Sequence, residues 1–275
     1  MDTAAPRPIR RLPFGAEPAD RQLASGLALL AGLAETPSLA LRWTEISPPA
    51  LILGSSERLD DANFDACAAR GVLVYRRASG GGAVLTEASL ALDVVIPAGD
   101  ALDVDDVTAS YQWLGETWAL ALHRLGIEAR VVSVAEARAD AQAVHPLLKR
   151  ACFGGLSPYE VVVGPRKIVG LAQRRRRSGA LLQAGIYLRW SSTRTAELVT
   201  QNAADRAMLT GLLDGRVAGL NTVGRRDVDT AVVIQAVEAT LTERWGLVTT
   251  DDKWTPAEIA AREEALARFQ PLELR

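Results

Sequence analysis

Apolar residues recur at helical spacing over 20–35, DRQLASGLALLAGLAE, and the run stops before Thr36-Pro37. A proline ring clashes with the preceding helical turn, so the pattern predicts a first buried helix ending there. From Leu39 the runs become short and extended, SLALRWTE and then PALILG, with Ser47-Pro48-Pro49 between them, which predicts strands. Residues 61–70, DANFDACAAR, read as a short helix stopped by Gly71, after which VLVYRR resumes as a strand. The clearest helix covers 107–125, where Tyr111, Leu114, Trp118, Leu122 and Leu125 make one apolar stripe. An extended run at 127–134, a polar, alanine-rich link, and extended runs at 159–164, 167–173 and 180–190 follow. A helix over about 229–245 puts Val233, Val237 and Leu241 on one face, and Thr255–Phe269 is a charged, alanine-rich helix that packs on the body or lies apart.

Strands and helices thus alternate irregularly, which excludes a doubly wound parallel sheet and predicts an α/β (α+β) domain with a mixed sheet flanked by helices. At 275 residues, 48% of them hydrophobic, the chain buries a sizeable core without staples. The expectation is one domain over 1–275, with 251–275 as a C-terminal helical tail. A net charge of −2 gives no general attraction to nucleic acid or to anionic membranes. With neither a signal-peptide core nor a membrane span legible, the expected compartment is the cytoplasm. Cys67 and Cys152 form no CxxC pair, and His123 and His145 are scattered, so no metal site is expected and both thiols are expected to be reduced.

Two segments carry candidate chemistry. In 75–85, YRRASGGGAVL, Gly80, Gly81 and Gly82 follow a strand and let backbone N–H groups approach a ligand, with Arg76 and Arg77 adding positive charge. A simple turn is the other reading, and the run is neither a Walker loop nor a GxGxxG fingerprint. In 151–173, ACFGGLSPYEVVVGPRKIVGLAQ, Cys152 stands in a glycine-containing turn after Lys149 and Arg150. It is either an activated nucleophile or a packed thiol. Lys167 is either a functional cation or a solvated lysine at a hairpin turn. The Arg174–Arg177 run is a solvated tip or a docking point for acidic carriers. Cys67, His123 and His145 read as structural.

Taken together, the segments resemble the lipoate–protein ligase and octanoyltransferase family. Arg76-Arg77-Ala78-Ser79-Gly80-Gly81-Gly82-Ala83-Val84 is similar to its RRxSGGGAV loop, and Pro165–Gln173 to its GrKivGsAQ strand, including Lys167, Gly170 and Ala172. Leu182-Gln183-Ala184-Gly185 is similar to its LLQHG turn, and looser similarity runs from about Leu23 to Leu247. Cys152-Phe153 with Ser157-Pro158-Tyr159-Glu160 resembles the CFxxxSxYE pattern of the cysteine-dependent octanoyltransferases. The chain departs at three places: Thr86-Glu87 stands for His-Asp, Leu171 for serine and Ala184 for histidine.

The resemblance implies the catalytic fold of biotin and lipoate ligases, with a tunnel for an acyl chain. It implies that Cys152 accepts the acyl group from an acyl carrier protein or an acylated lipoyl-carrier protein. A lysine of a lipoyl-carrier domain then attacks, with Lys167 placing positive charge near the carbonyl. The glycine loop, Gly170, Ala172, Gln183 and Gly185 would bind substrate. Thioester exchange is nearly thermoneutral and amide formation runs downhill, so no cofactor is implied and a monomer suffices. The alternatives are an ATP- and magnesium-dependent ligase, and a carrier-binding homologue without chemistry.

Overall fold

The computed structural model describes residues 6–224 and 228–273. Strands β1 (Arg7–Arg11) and β2 (Gly15–Glu17) precede helix α1 (Ala19–Gly32). Then come β3 (Ala40–Ile46), β4 (Ala50–Leu53), α2 (Phe64–Ala69), β5 (Leu73–Arg76), β6 (Val84–Leu85), β7 (Ser89–Pro97), α3 (Gln112–Arg124), β8 (Arg130–Val131) and α4 (Val134–Ala143). The remainder is β9 (Val161–Val163), β10 (Arg166–Arg176), β11 (Gly179–Tyr187), α5 (Ser192–Val199), α6 (Ala203–Asp214), α7 (Leu220–Val223), α8 (Thr230–Trp245), β12 (Leu247–Asp251) and α9 (Pro256–Leu266).

A large sheet runs in the order β12-β1-β3-β7-β11-β10-β9-β8, with β2 beside β3, and a small sheet runs β5-β4-β6. Pairing is parallel for β1 with β12 and β3, and antiparallel from β3 through β7, β11, β10 and β9. The sheet is therefore mixed, as expected. Alternation along its strands explains how it is covered. Leu41 and Trp43, Leu92 and Val94, and Leu182 and Ile186 pack in one core with Trp118 and Leu122 of α3 and Val237 and Leu241 of α8. Trp43 meets Trp118 edge to face at 5.8 Å and donates its indole N–H to Glu238 of α8 at 3.0 Å, so both helices are pinned to β3. Val95 and Leu181 instead pack with Leu29 and Leu30 of α1. Helices α2, α5 and α6 bury their apolar residues against the small sheet.

Several expectations are corrected. The alanine-rich link holds α4, whose start is fixed by a reciprocal cap: the Ser133 hydroxyl accepts from the Glu136 N–H, and Glu136 accepts from the Ser133 N–H. The extended run at 127–134 contributes only the two residues of β8. The helical tail begins later than 251, because Asp251 ends β12; its helix α9 packs along α1 and does not lie apart. Residues 274–275 of that expected tail lie outside the described residues. Among the described residues no helix is long and apolar enough to cross a membrane.

Candidate active site

The three glycines after β5 do different work. A Cβ on Gly80 would meet nothing within 4 Å, whereas Gly81 has φ +96° and Gly82 packs so closely on the next segment that a Cβ would lie 2.6 Å from the Lys149 carbonyl oxygen. Gly54 matters as much: its missing Cβ would fall 1.8 Å from the Gly81 carbonyl oxygen. Close backbone approach is thus the reason for glycine at Gly54 and Gly82, and a left-handed backbone the reason at Gly81. The loop is also tied down by arginines. Arg76 donates to the carbonyls of Gly54 and Glu57 at 3.0 and 2.5 Å, and Arg77 donates to those of Gly80 and Gly82 at 2.7 and 2.8 Å. Below it, Ala83 N–H donates to the Arg150 carbonyl and Cys152 N–H to the Ala83 carbonyl, both at 2.9 Å, which brings the two predicted segments together.

Cys152 is half-buried, and Arg77 Nη2 lies 3.9 Å from its Sγ. Lys167 is not a solvated lysine at a hairpin edge: it is 1% exposed, at the start of β10. Its ammonium donates to both Glu160 oxygens at 2.8 and 2.7 Å and to the carbonyls of Cys152 and Gly155, each at 2.9 Å. Four acceptors surround three N–H bonds, leaving none over for a substrate carbonyl in this arrangement. Lys167 instead clamps the cysteine turn from below. Glu160 completes the clamp by accepting from Ser157 N–H at 2.7 Å and Leu171 N–H at 3.3 Å. Its importance was missed in the sequence, although it closes the SPYE run.

A cavity of about 350 Å³ opens between the glycine loop and the ends of β7, β10 and β11. Of the residues singled out from the sequence, Arg77, Ser79, Gly80, Gly81, Val84, Cys152, Gly170, Ala172, Gln183 and Gly185 line it. Arg76, Gly82, Ala83 and Lys167 do not, because each is spent on holding the loop or the cysteine turn behind the wall. The Ser79 hydroxyl is buried without a hydrogen-bond partner. Residues not marked as binding residues in the sequence complete the lining, among them Gln22, Phe153 of the cysteine motif, Tyr187, and Tyr111 of the predicted apolar stripe. Behind Gln183, Asp93 accepts from its amide at 2.7 Å; burial pushes the Asp93 carboxyl above its ordinary range, and that bond opposes the shift.

The three departures converge on this cavity. Leu171 and Ala184 are direct partners across the β10–β11 ladder; Ala184 belongs to the apolar core and Leu171, half-buried, packs against it. Thr86 turns its hydroxyl to the backbone of Ala50, accepting from N–H at 2.9 Å and donating to C=O at 3.1 Å. Elsewhere, Cys67 is buried, and desolvation pushes its thiol up to about 11, which suits a packed group rather than a nucleophile. His145 caps a short turn by accepting from Leu147 N–H, and His123 lies 2.6 Å from the Ala129 carbonyl. Among the described residues no group of three His, Cys, Asp or Glu side chains is placed to hold a metal ion.

Residues 19–242 match the family model for the lipoyl protein ligase A/B catalytic domain. The chain belongs to that family. An octanoyltransferase LipM of Moorella thermoacetica is 29% identical over 232 residues, 83% of each chain. One from Kyrpidia tusciae is 36% identical over 152 residues, 54% of this chain and 53% of the relative. Among solved structures, an archaeal bipartite lipoate protein ligase from Thermoplasma acidophilum superposes with a TM-score of 0.76 at 18% identity, covering 97% of this chain and 93% of the other. A lipoate-protein ligase A bound with ATP gives 0.73 at 20% identity over 96% and 95%. At such identities these structures establish the fold alone.

Proposed function

We propose that this chain transfers an octanoyl or lipoyl group to a lysine of a lipoyl-carrier domain through a thioester on Cys152. The observation that carries this reading is the Cys152 thiol on the wall of a cavity of ligand size, beside the Arg77 guanidinium and under the glycine loop. In the first step the thiolate attacks an acyl thioester carbonyl and the carrier's thiol leaves. In the second, a neutral lysine amine attacks the Cys152 thioester, the amide forms, and the released thiolate takes up the amine's proton. Lys167 and Glu160 act as positioning residues, fixing the turn that presents the thiol.

Support comes from relatives named octanoyltransferase and from a fold neighbour solved as part of a lipoylation system with its E2 lipoyl domain. The hairpin joining β10 to β11 supplies a docking face for an acidic carrier. Arg176 and Arg177 are exposed there, and Arg174 reaches within 3.5 Å of the Ala78 carbonyl in the glycine loop.

Intact-mass analysis after incubation with octanoyl-carrier protein tests the reading. A hydroxylamine-sensitive octanoyl adduct is expected on the wild-type chain and on Cys67→Ser, without ATP, and not on Cys152→Ser. Full transfer by Cys152→Ala would rule out the covalent route, and strict dependence on ATP would favour the ligase chemistry.

A further inference from the structure

A second cavity, of about 360 Å³, shares Tyr187 with the first but not the thiol. Tyr187 lines both cavities, and its ring packs at a tilt of about 60° on those of Phe153 and Trp190, with ring centres 4.8 and 4.7 Å away. Residues 85–88 after the glycine loop form one wall, and residues 189–195, which lead into the first turn of α5, form the other.

The polar groups of this cavity share an unusual property. Trp190 Nε1 and the Thr195 hydroxyl are buried side-chain atoms without a hydrogen-bond partner, both residues line this one cavity, and the Arg194 Nε beside them faces only the Glu87 carboxylate. Thr195 is only 1% exposed. Buried polar groups normally find partners, so two unpaired donors on one wall mark a place shaped for an acceptor. They stand at the N-terminus of α5, where Ser191 already takes the Arg194 N–H with its hydroxyl and the Thr195 N–H with its carbonyl, and where the helix dipole favours a negative charge. Arg189 adds a guanidinium that has no carboxylate partner among the described residues, while Arg194 lies 3.2 Å from Glu87. Two guanidinium charges and one carboxylate leave the wall net positive by one, which suits an oxyanion of low charge.

We propose that this second cavity is a binding site for a phosphate ester, held by Arg189, Arg194, Trp190 Nε1–H and the Thr195 hydroxyl. Glu87, one of the positions that departs from the family pattern, limits the charge the site accepts. The phosphate would belong either to a free ester or to the thiol-bearing arm of an acyl donor. The second source rests on the transferase reading above.

Calorimetry of the full chain with inorganic phosphate tests the site directly. Saturable binding is expected. Arg189→Gln and Thr195→Val should each weaken it about tenfold or more, the worth of one charge-assisted hydrogen bond. Glu87→Gln should strengthen it. None of these side chains is needed by the core clamp around Cys152, so the variants should fold. Absence of saturable binding, or binding that none of the three changes, overturns the site and leaves an adventitious ion only. The source is separated by using octanoyl-phosphopantetheine and octanoyl-pantetheine, which differ only by the phosphate, as donors to Cys152. A higher KM in Arg189→Gln for the first donor alone assigns the phosphate to the donor's arm. An equal response to both, with phosphate binding weakened, assigns it to a free ester. Failure of octanoyl-pantetheine to acylate Cys152 would count against the transferase reading and leaves the phosphate titration to be judged separately.

Discussion

The Lys167 ammonium and the Glu160 carboxylate face each other at 2.7 and 2.8 Å, with side chains 1% and 3% exposed. Such a pair is held by geometry: it gains little over two apolar residues, but losing one partner strands a charge away from water, at a cost of about 3–5 kcal/mol. Lys167→Ala and Glu160→Ala should each lower stability by about that amount, with the double variant losing less than the sum. Because both hold the Cys152 turn, acylation should also slow by about 10²-fold in either single variant. Urea unfolding and single-turnover acylation check this. A wild-type midpoint in Lys167→Ala would show that the pair does not hold the turn.

The glycine loop offers a sharper contrast. Gly54→Ala puts a methyl 1.8 Å from the Gly81 carbonyl oxygen, whereas Gly80→Ala puts one into open space. The first must push the loop away from Arg77 and Cys152, so a loss of about 1–3 kcal/mol and a fall in acylation rate are expected. The second should keep wild-type stability within about 0.5 kcal/mol. Thermal melts of the two variants side by side decide it, and equal behaviour would mean that the loop is not packed as described.

Glu57, whose carboxylate accepts from Gly54 N–H at 2.6 Å, is pushed up to about 7, chiefly by burial and against the pull of that bond and of Arg77. A carboxyl whose folded pKa is raised stabilises the fold fully below the ordinary carboxylate range, and the contribution is lost as pH rises through about 7. The wild-type Tm should therefore fall more between about pH 5 and pH 8 than that of Glu57→Gln, by about 2–4 °C after solvent screening of this half-buried group. Parallel slopes for the two chains would remove Glu57 from the pH response.

The sheet-forming runs and the strongest helices were legible because their apolar spacing repeats within one element, as in Leu114, Trp118 and Leu122 of α3, although Tyr111 of the same stripe falls just before that helix and lines the cavity. Helix α4 was not, since it buries only Ala137 and carries no stripe; its signal was the Ser133–Glu136 cap, which a reading by periodicity passes over. The parallel pairing of β1 with β12 joins residues 240 apart in sequence and depends on tertiary contact. At the site, Cys152 and the glycine loop were marked by residue type and motif. Glu160 was quoted within a motif, yet its pairing with Lys167 depends on the turn from β9 into β10, which residue types alone do not disclose.

The last prediction follows from the pairing of Leu171 with Ala184. Serine and histidine at these positions would present polar groups to the cavity, whereas here two apolar side chains meet across the ladder, Ala184 in the core and Leu171 packed against it. Thr86 cannot compensate, because its hydroxyl is occupied by Ala50. A triphosphate or an adenylate needs several charge-assisted donors, while an acyl chain needs only apolar surface. Calorimetry with ATP and Mg²⁺ should accordingly give weak binding or none, and free octanoate should not be activated. The double variant Leu171→Ser, Ala184→His should bind an octanoyl donor about tenfold more weakly, since it gives up apolar surface of roughly two methylene groups and buries polar groups in its place. Tight nucleotide binding by the wild-type chain, together with ATP-dependent acylation of a carrier from free octanoate, would overturn this account and make the chain a ligase.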